Sequence, residues 1–316
     1  ALPISCGHAE TQKVYYQAHP RKFAQLGFVC LIIETIQYGE IWGHHQGAFN
    51  QNWYHWYSRG YCPGGVEAWN GIRGIDLLCS RAEVDTARIG VTGNSGGGTQ
   101  SWYLPALDAR VKASASSCGT GLLESHISSR TINAHCDCMM PINTYLIDFP
   151  NIGALIAPRP FMIVSPTEDR LYKIDAARQC YEYVNKIYEY YGAEDSLYFV
   201  EKPGGHGYSE ETRPLIFQFF MRHLMNTQMT LEEIGDIDES ELSEEELRVF
   251  VDGPPTDDIT TEIQDSFVNQ SDMPNIQDIG TLKAHRSTVK QQLAEKTFRA
   301  FPAETPESDT ALVLHS

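Results

Sequence analysis

Apolar positions in the first two thirds of the chain fall into short uninterrupted runs, separated by stretches of helical period. Runs such as Phe28-Val29-Cys30-Leu31-Ile32-Ile33 and Phe161-Met162-Ile163-Val164 are apolar on both alternation phases, which suits strands of a sheet covered on both faces. They place strands at 2–6, 28–34, 88–93, 111–117, 160–165 and 196–201. Helical patterns fall between them, near 10–26, 64–80, 96–104, 151–157, 171–191 and 209–226. Alternation of this kind reads as an α/β fold, a mostly parallel sheet with helices on both faces. Ligands then bind beyond the carboxyl ends of the strands. Two long connections break the rhythm: 35–63, rich in Trp and Tyr, and 118–150. Both follow strands and are expected to overhang that edge, where long loops carry function.

After Thr227 the pattern changes. Residues 227–316 hold 20 of the 41 acids and 6 of the 24 Lys and Arg, a net of −14, while 1–226 keep 21 acids and 18 bases, a net of −3. The expected division is a catalytic domain over 1–227 and an acidic C-terminal extension over 228–316, partly helical and partly linker or disordered. Ser243-Glu244-Glu245-Glu246 offers a capping box for one short helix. Residues 268–280 read as a polar linker, 281–299 as a weakly amphipathic helix using Leu282, Val289, Leu293 and Phe298, and 302–316 as disordered. A nearly neutral main body without a basic stripe excludes nucleic acid as a partner. No apolar run reaches membrane-span length, and no secretory leader is visible. Eight cysteines in 316 residues do not describe a disulfide scaffold. Cys30, Cys79 and Cys118 fall where buried small apolar groups sit, and one or two bridges stay open.

The chemistry centres on Arg88-Ile89-Gly90-Val91-Thr92-Gly93-Asn94-Ser95-Gly96-Gly97-Gly98. A short strand turns sharply through glycines into a helix, the setting of a nucleophile elbow with Ser95 at its tip. A serine needs a base, and the base needs an orienting acid, in the chain order serine, acid, histidine. The strand ending at Ser165 runs into Pro166-Thr167-Glu168-Asp169. Asp169 is the expected acid, with Glu168 the alternative. The last strand runs into Gly204-Gly205-His206-Gly207, and His206 is the expected base. The oxyanion donors are the amide of Gly96 and that of His8 in Cys6-Gly7-His8-Ala9, with Ala9 second. No cofactor is required.

His135-Cys136-Asp137-Cys138 invites a zinc reading, but no second ligand pair stands at zinc-site spacing, and His44-His45 is equally isolated. The expectation is therefore no metal. Trp53 and Trp56 could offer flat faces to a sugar ring, with His135 a further candidate for substrate contact. The competing expectation for the two indoles is a hydrophobic plug beneath a long loop.

Cys6-Gly7-His8-Ala9, Lys13-Val14-Tyr15-Tyr16-Gln17, Gly39-Glu40, His44-His45, Gly64-Gly65-Val66-Glu67-Ala68-Trp69-Asn70, the elbow, His135-Cys136-Asp137-Cys138 and Ala157-Pro158-Arg159-Pro160 together resemble bacterial α/β-hydrolases of the acetylxylan-esterase-like group. The resemblance spans about residues 1–250. It implies a serine carboxylesterase that removes acetyl groups from carbohydrate or similar small esters, in a secreted or periplasmic setting. It also implies strands before Leu2, so either a shorter sheet or a fragment is expected here. Two alternatives stand beside it. One is a peptidase or amidase of the same fold; the other is a non-catalytic hydrolase-like binding domain with the acidic tail as partner surface. Acyl chain length, alcohol and oligomeric state do not follow from the sequence.

Overall fold

The computed structural model describes residues 1–134, 136, 138, 145–238, 241–299 and 304. Its strands are β1 (Leu2–Ser5), β2 (Cys30–Ile33), β3 (Ile89–Asn94), β4 (Val111–Ser117), β5 (Phe161–Pro166) and β6 (Leu197–Lys202). The longer helices between them are α1 (Ala18–Gln25), α2 (Pro63–Cys79), α3 (Gly96–Leu107), α4 (Phe149–Ile156), α5 (Ile174–Tyr191) and α6 (Arg213–Leu224). Among the described residues the sheet has six strands in the order β2-β1-β3-β4-β5-β6, and every pair is parallel. Parallel strands bury both faces, and the side chains divide accordingly. Leu2, Ile4, Ala113, Ala115, Met162 and Val164 pack with Phe23 of α1 and Phe217 and Phe220 of α6. On the other face Ile89, Val91 and Val111 meet Ile75 of α2 and Leu104 of α3. There too Phe161 and Ile163 meet Trp102, Phe149 and Val184, from α3, α4 and α5.

The connections leave β1 in one direction and β3 in the other, so the order reverses between them. That is the switch point at which an open α/β sheet makes its ligand crevice. Ser95 follows β3 and His8 follows β1, which puts both at that crevice.

The helix expected over 10–26 is broken into Lys13–Tyr16 and α1. Pro20 has no N–H to donate to Tyr16, and its ring crowds that carbonyl, so one helix cannot run through both. Helix α5 begins at Ile174 rather than 171 because the Asp169 carboxylate takes the amides of Leu171 and Tyr172. The connection 35–63 is not bare loop: Gly47–Gln51 and His55–Arg59 are helical.

The composition boundary after 227 and the contact boundary do not coincide. One compact unit comprises 1–143 and 147–269, and a second comprises 144–146 and 270–316. Residues 228–269 are tied into the first by polar bonds. Gln17 pairs with both backbone groups of Leu242 at 2.8 and 3.1 Å, and Arg213 Nη2 meets Asp236 Oδ2 at 2.6 Å. Gln37 donates to Thr260 O at 2.8 Å. The capping box at Ser243 forms and starts a helix over Glu244–Leu247. In the second unit, Asp278 caps a helix over Ile279–Gln292. The tail expected to be disordered lies outside the described residues apart from Glu304.

Candidate active site

Ser95 has φ 59° and ψ −117°, a left-handed backbone that a non-glycine residue adopts only when its surroundings over-determine it. Two of the elbow's glycines supply that constraint. A Cβ at Gly97 would run into the carbonyl oxygen of Ser5, and one at Gly93 would meet the backbone of Gly97 and, at 2.6 Å, Ser5 O. The end of β1 and the elbow therefore touch backbone to backbone. The far side of the turn is held by β4, where Ser95 N donates to Ser117 O at 2.9 Å and Ser116 Oγ to Gly98 O at 2.9 Å.

Asp169 and His206 meet directly. His206 Nδ1 lies 2.8 Å from Asp169 Oδ2, with the carboxylate side chain fully buried and the imidazole 27% exposed. Asp169 Oδ1 accepts from the amides of Leu171 and Tyr172 at 2.8 and 3.1 Å. Burial works to raise this carboxyl's pKa, but the His206 bond and charge and the two amides outweigh it and hold it below its ordinary value. Glu168, one residue away, is exposed.

Two chains of contact join this pair to the elbow. Cys118, next to the Ser117 that holds Ser95, accepts the Gly207 amide on Sγ at 3.4 Å. The Tyr172 ring lies parallel to His206 at 6.0 Å, and its hydroxyl is 3.1 Å from Thr99 Oγ1 on the first turn of α3. Ser95 Oγ itself is not hydrogen-bonded to His206 or to any other described residue. Cys118 is no rival nucleophile, since burial first and the Asp169 charge second push its thiol pKa up to about 12.

The His8 ring lies against the elbow: a Cβ at Gly96 would run into it, 2.7 Å from Nδ1. Neither the His8 nor the Gly96 amide has a partner among the described residues. The turn behind His8 is pinned by Gln12, whose Nε2 donates to Gly7 O and Ala9 O at 2.8 and 2.6 Å. Desolvation, helped by the nearby His206, lowers the His8 pKa to about 4, and burial lowers that of His45 to about 3.

Trp56 is fully buried, packed on Tyr61 at 4.8 Å and Trp53 at 5.6 Å in a cluster with Ile36 and Val66. It is a plug and cannot face a sugar, which corrects the substrate-contact expectation for this residue. Trp53 is partly buried, and His135 lies outside the described residues. A cleft of about 410 Å³ lined by Lys13, Glu34, Glu40 and Arg248 holds none of the site's side chains.

Two groups went unnoticed in the sequence, Tyr172 and Gln12, and His45 was set aside as isolated. Tyr172 stands three residues after Asp169, too weak a signal to separate it from an ordinary core tyrosine. His45 and the two cysteines, Cys136 and Cys138, which are joined as a disulfide, gather around His8 Nε2.

No protein-family profile matches the chain. Over 145 residues, 45% of the chain and 48% of the relative, it is 28% identical to YtaP of Bacillus subtilis (strain 168), whose name assigns it to the hydrolases without a substrate. It superposes on the methylesterase BT1017 with a TM-score of 0.55 at 25% identity, covering 74% of this chain and 51% of that one. A glucuronoyl esterase from Solibacter usitatus gives 0.54 at 15% identity, with 70% and 73% covered. A carbohydrate esterase family 15 glucuronoyl esterase from Caldicellulosiruptor kristjansonii gives 0.53 at 17%, with 77% and 71% covered. The fold is that of the α/β-hydrolases. All three solved neighbours are esterases. The chain spans about half the length of YtaP and of the methylesterase.

Proposed function

We propose that the protein is a serine carboxylic ester hydrolase acting on carbohydrate esters or similar small esters through an acyl-enzyme. The observation that carries this reading is the Asp169–His206 pair at 2.8 Å on the same rim as a serine held at positive φ. Esterases among the solved neighbours support the bond type.

Ser95 Oγ attacks the ester carbonyl carbon while His206 Nε2 takes its proton. The oxyanion rests on the amides of Gly96 and His8. Collapse breaks the bond to the alcohol, which leaves with the proton from His206. Water then attacks the acyl carbon, His206 again takes and returns a proton, and the acid departs. Asp169 keeps hydrogen on Nδ1 throughout, so Nε2 is free to accept. The unbonded Ser95 hydroxyl is compatible with this, because resting catalytic hydrogen bonds are often long and tighten with substrate. All of these residues lie within 1–227.

Labelling with a fluorophosphonate tests the reading. Wild type is expected to label and Ser95→Ala not to; an unlabelled wild type ends the enzyme proposal. Rates on p-nitrophenyl acetate, acetylated xylan and a peptide anilide then decide the bond. Faster cleavage of the anilide would make the protein a peptidase or amidase instead.

A further inference from the structure

Four ligand-type atoms converge beneath the His8 turn. His8 Nε2 lies 3.0 Å from His45 Nε2, 2.9 Å from Cys136 Sγ and 3.1 Å from Cys138 Sγ. His45 Nε2 lies 3.3 Å from Cys136 Sγ, and all four atoms fall within 4.8 Å of one another. None of these side chains has a role in the acyl transfer described above.

Hydrogen bonding alone does not account for the cluster. His45 Nδ1 lies 2.7 Å from the carbonyl oxygen of Ile36, which can only accept, so the ring hydrogen sits on Nδ1 and Nε2 offers a lone pair. That lone pair faces another imidazole nitrogen and a sulfur. A single N–H on His8 could point at one of its three neighbours and would leave the other two. Disulfide sulfurs would add no hydrogen. Beside them Glu67, 8% exposed, brings Oε1 to 3.8 Å from His45 Nε2, and that oxygen has no hydrogen-bond partner. Convergent lone pairs and a buried unpartnered carboxylate oxygen are what a cation satisfies.

We propose that His8, His45, Cys136 and Cys138 bind one thiophilic divalent cation of the Zn²⁺ class, with both cysteines as thiolates. Two imidazoles and two thiolates are a closed four-coordinate set. Bonds of about 2.0–2.1 Å to nitrogen and about 2.3 Å to sulfur place tetrahedral ligands roughly 3.3–3.8 Å apart. The nitrogen–nitrogen and nitrogen–sulfur separations here, 2.9 to 3.3 Å, are shorter than that by up to about 0.7 Å, so the four ligands must spread slightly to admit the ion. Ile36 O orients His45 as an outer-shell partner does at a metal. Loading two thiols releases two protons to solvent. Loading from the disulfide first needs two electrons from a dithiol reductant, which is oxidised in exchange. With four protein ligands no position is left for substrate, so the ion acts as a cross-link. It ties the turn bearing the His8 amide to the connections after β2 and β4.

The sequence reading set metal aside because His135-Cys136-Asp137-Cys138 lacked a second pair at ordinary spacing. The partners are instead 91 and 128 residues from Cys136. Cys136 and Cys138, two apart, suit a common face of an extended segment.

The test uses the full chain without a histidine tag, reduced with dithiothreitol, supplied with Zn²⁺ and passed over a desalting column. Mass spectrometry of metals is expected to find about one Zn²⁺ per chain. His45→Ala and the double variant Cys136→Ser/Cys138→Ser are expected to lose it. Co²⁺ in place of Zn²⁺ should give a near-ultraviolet thiolate-to-cobalt absorption in the wild type, a readout that holds even if a variant fails to fold. No retained Zn²⁺ and no such absorption in the reduced wild type would overturn the proposal. So would Zn²⁺ retained undiminished by the double variant.

Discussion

Replacing Asp169 by Asn changes one atom's chemistry and keeps the side chain's shape. Asp169 Oδ1 takes two backbone amides, and Oδ2 faces His206 Nδ1 at 2.8 Å. The amides of Leu171 and Tyr172 remain donors whatever occupies the position, so asparagine keeps its oxygen at that end. Its NH₂ then takes the place of Oδ2 and donates to Nδ1. Hydrogen is forced onto Nε2, the atom that should receive the serine proton. Loss of one charge-assisted hydrogen bond costs about 1.5–3 kcal/mol, a roughly 10- to 150-fold fall in kcat at about 1.4 kcal/mol per decade. The inverted tautomer carries the loss to about 10⁴-fold. Initial rates on p-nitrophenyl acetate measure it, with a thermal melt to show the fold intact. Exposed Glu168 changed to Gln should leave kcat within about twofold. A fall of less than tenfold in Asp169→Asn, or an equal fall in Glu168→Gln, would refute the reasoning.

Four further outcomes follow from the packing and charge. Gly97→Ala puts a methyl against the backbone of Ser5 and, at 2.9 Å, Cys6 O; a loss of about 3 kcal/mol in urea unfolding is expected. Gly205→Ala meets nothing within 4 Å and should change stability by less than about 0.5 kcal/mol. Trp56→Ala empties a fully buried site and should cost about 3–5 kcal/mol, whereas an unchanged melting temperature would return the indole to the substrate surface. Burial opposes ionisation of Asp236, but Arg213 and the Ile237 amide outweigh it and its folded pKa lies below the ordinary 3.8. Its contribution is therefore present above pH 3.8 and fades as pH falls through the lower folded value. The melting-temperature gap between wild type and Asp236→Asn should be open at neutral pH and close in acid; a constant gap would contradict the ion pair.

The sheet was legible because buried parallel strands leave continuous apolar runs, as at Phe161–Pro166, and because glycines crowd where backbones touch, as at Gly93 and Gly97. Asp169 was legible as a position beyond a strand, and its burial, its contact with His206 and the two amides it receives distinguish it from the exposed Glu168. Trp56 was ambiguous because the same indole serves a plug or a platform, and only its neighbours Tyr61 and Val66 decide. The grouping of His8 and His45 with the cysteines left no local spacing to read, since three separate connections bring them together. The attachment of 228–269 was hidden as well. It rests on the Arg213–Asp236 ion pair, on side chain-to-backbone bonds at Leu242 and Thr260, and on scattered apolar side chains such as Ile234, a mixture that leaves no hydrophobic period.

Glu40 bears on where the gene could be shortened. Its carboxylate accepts the amides of Val249 and Phe250 at 2.9 Å each while holding Lys13 Nζ at 2.8 Å. A stop codon placed where the acid-rich composition begins would strip that carboxylate of two donors, Gln17 of its backbone clasp and Arg213 of its counter-ion. Trimming from the far end as far as Asn269 would disturb none of these.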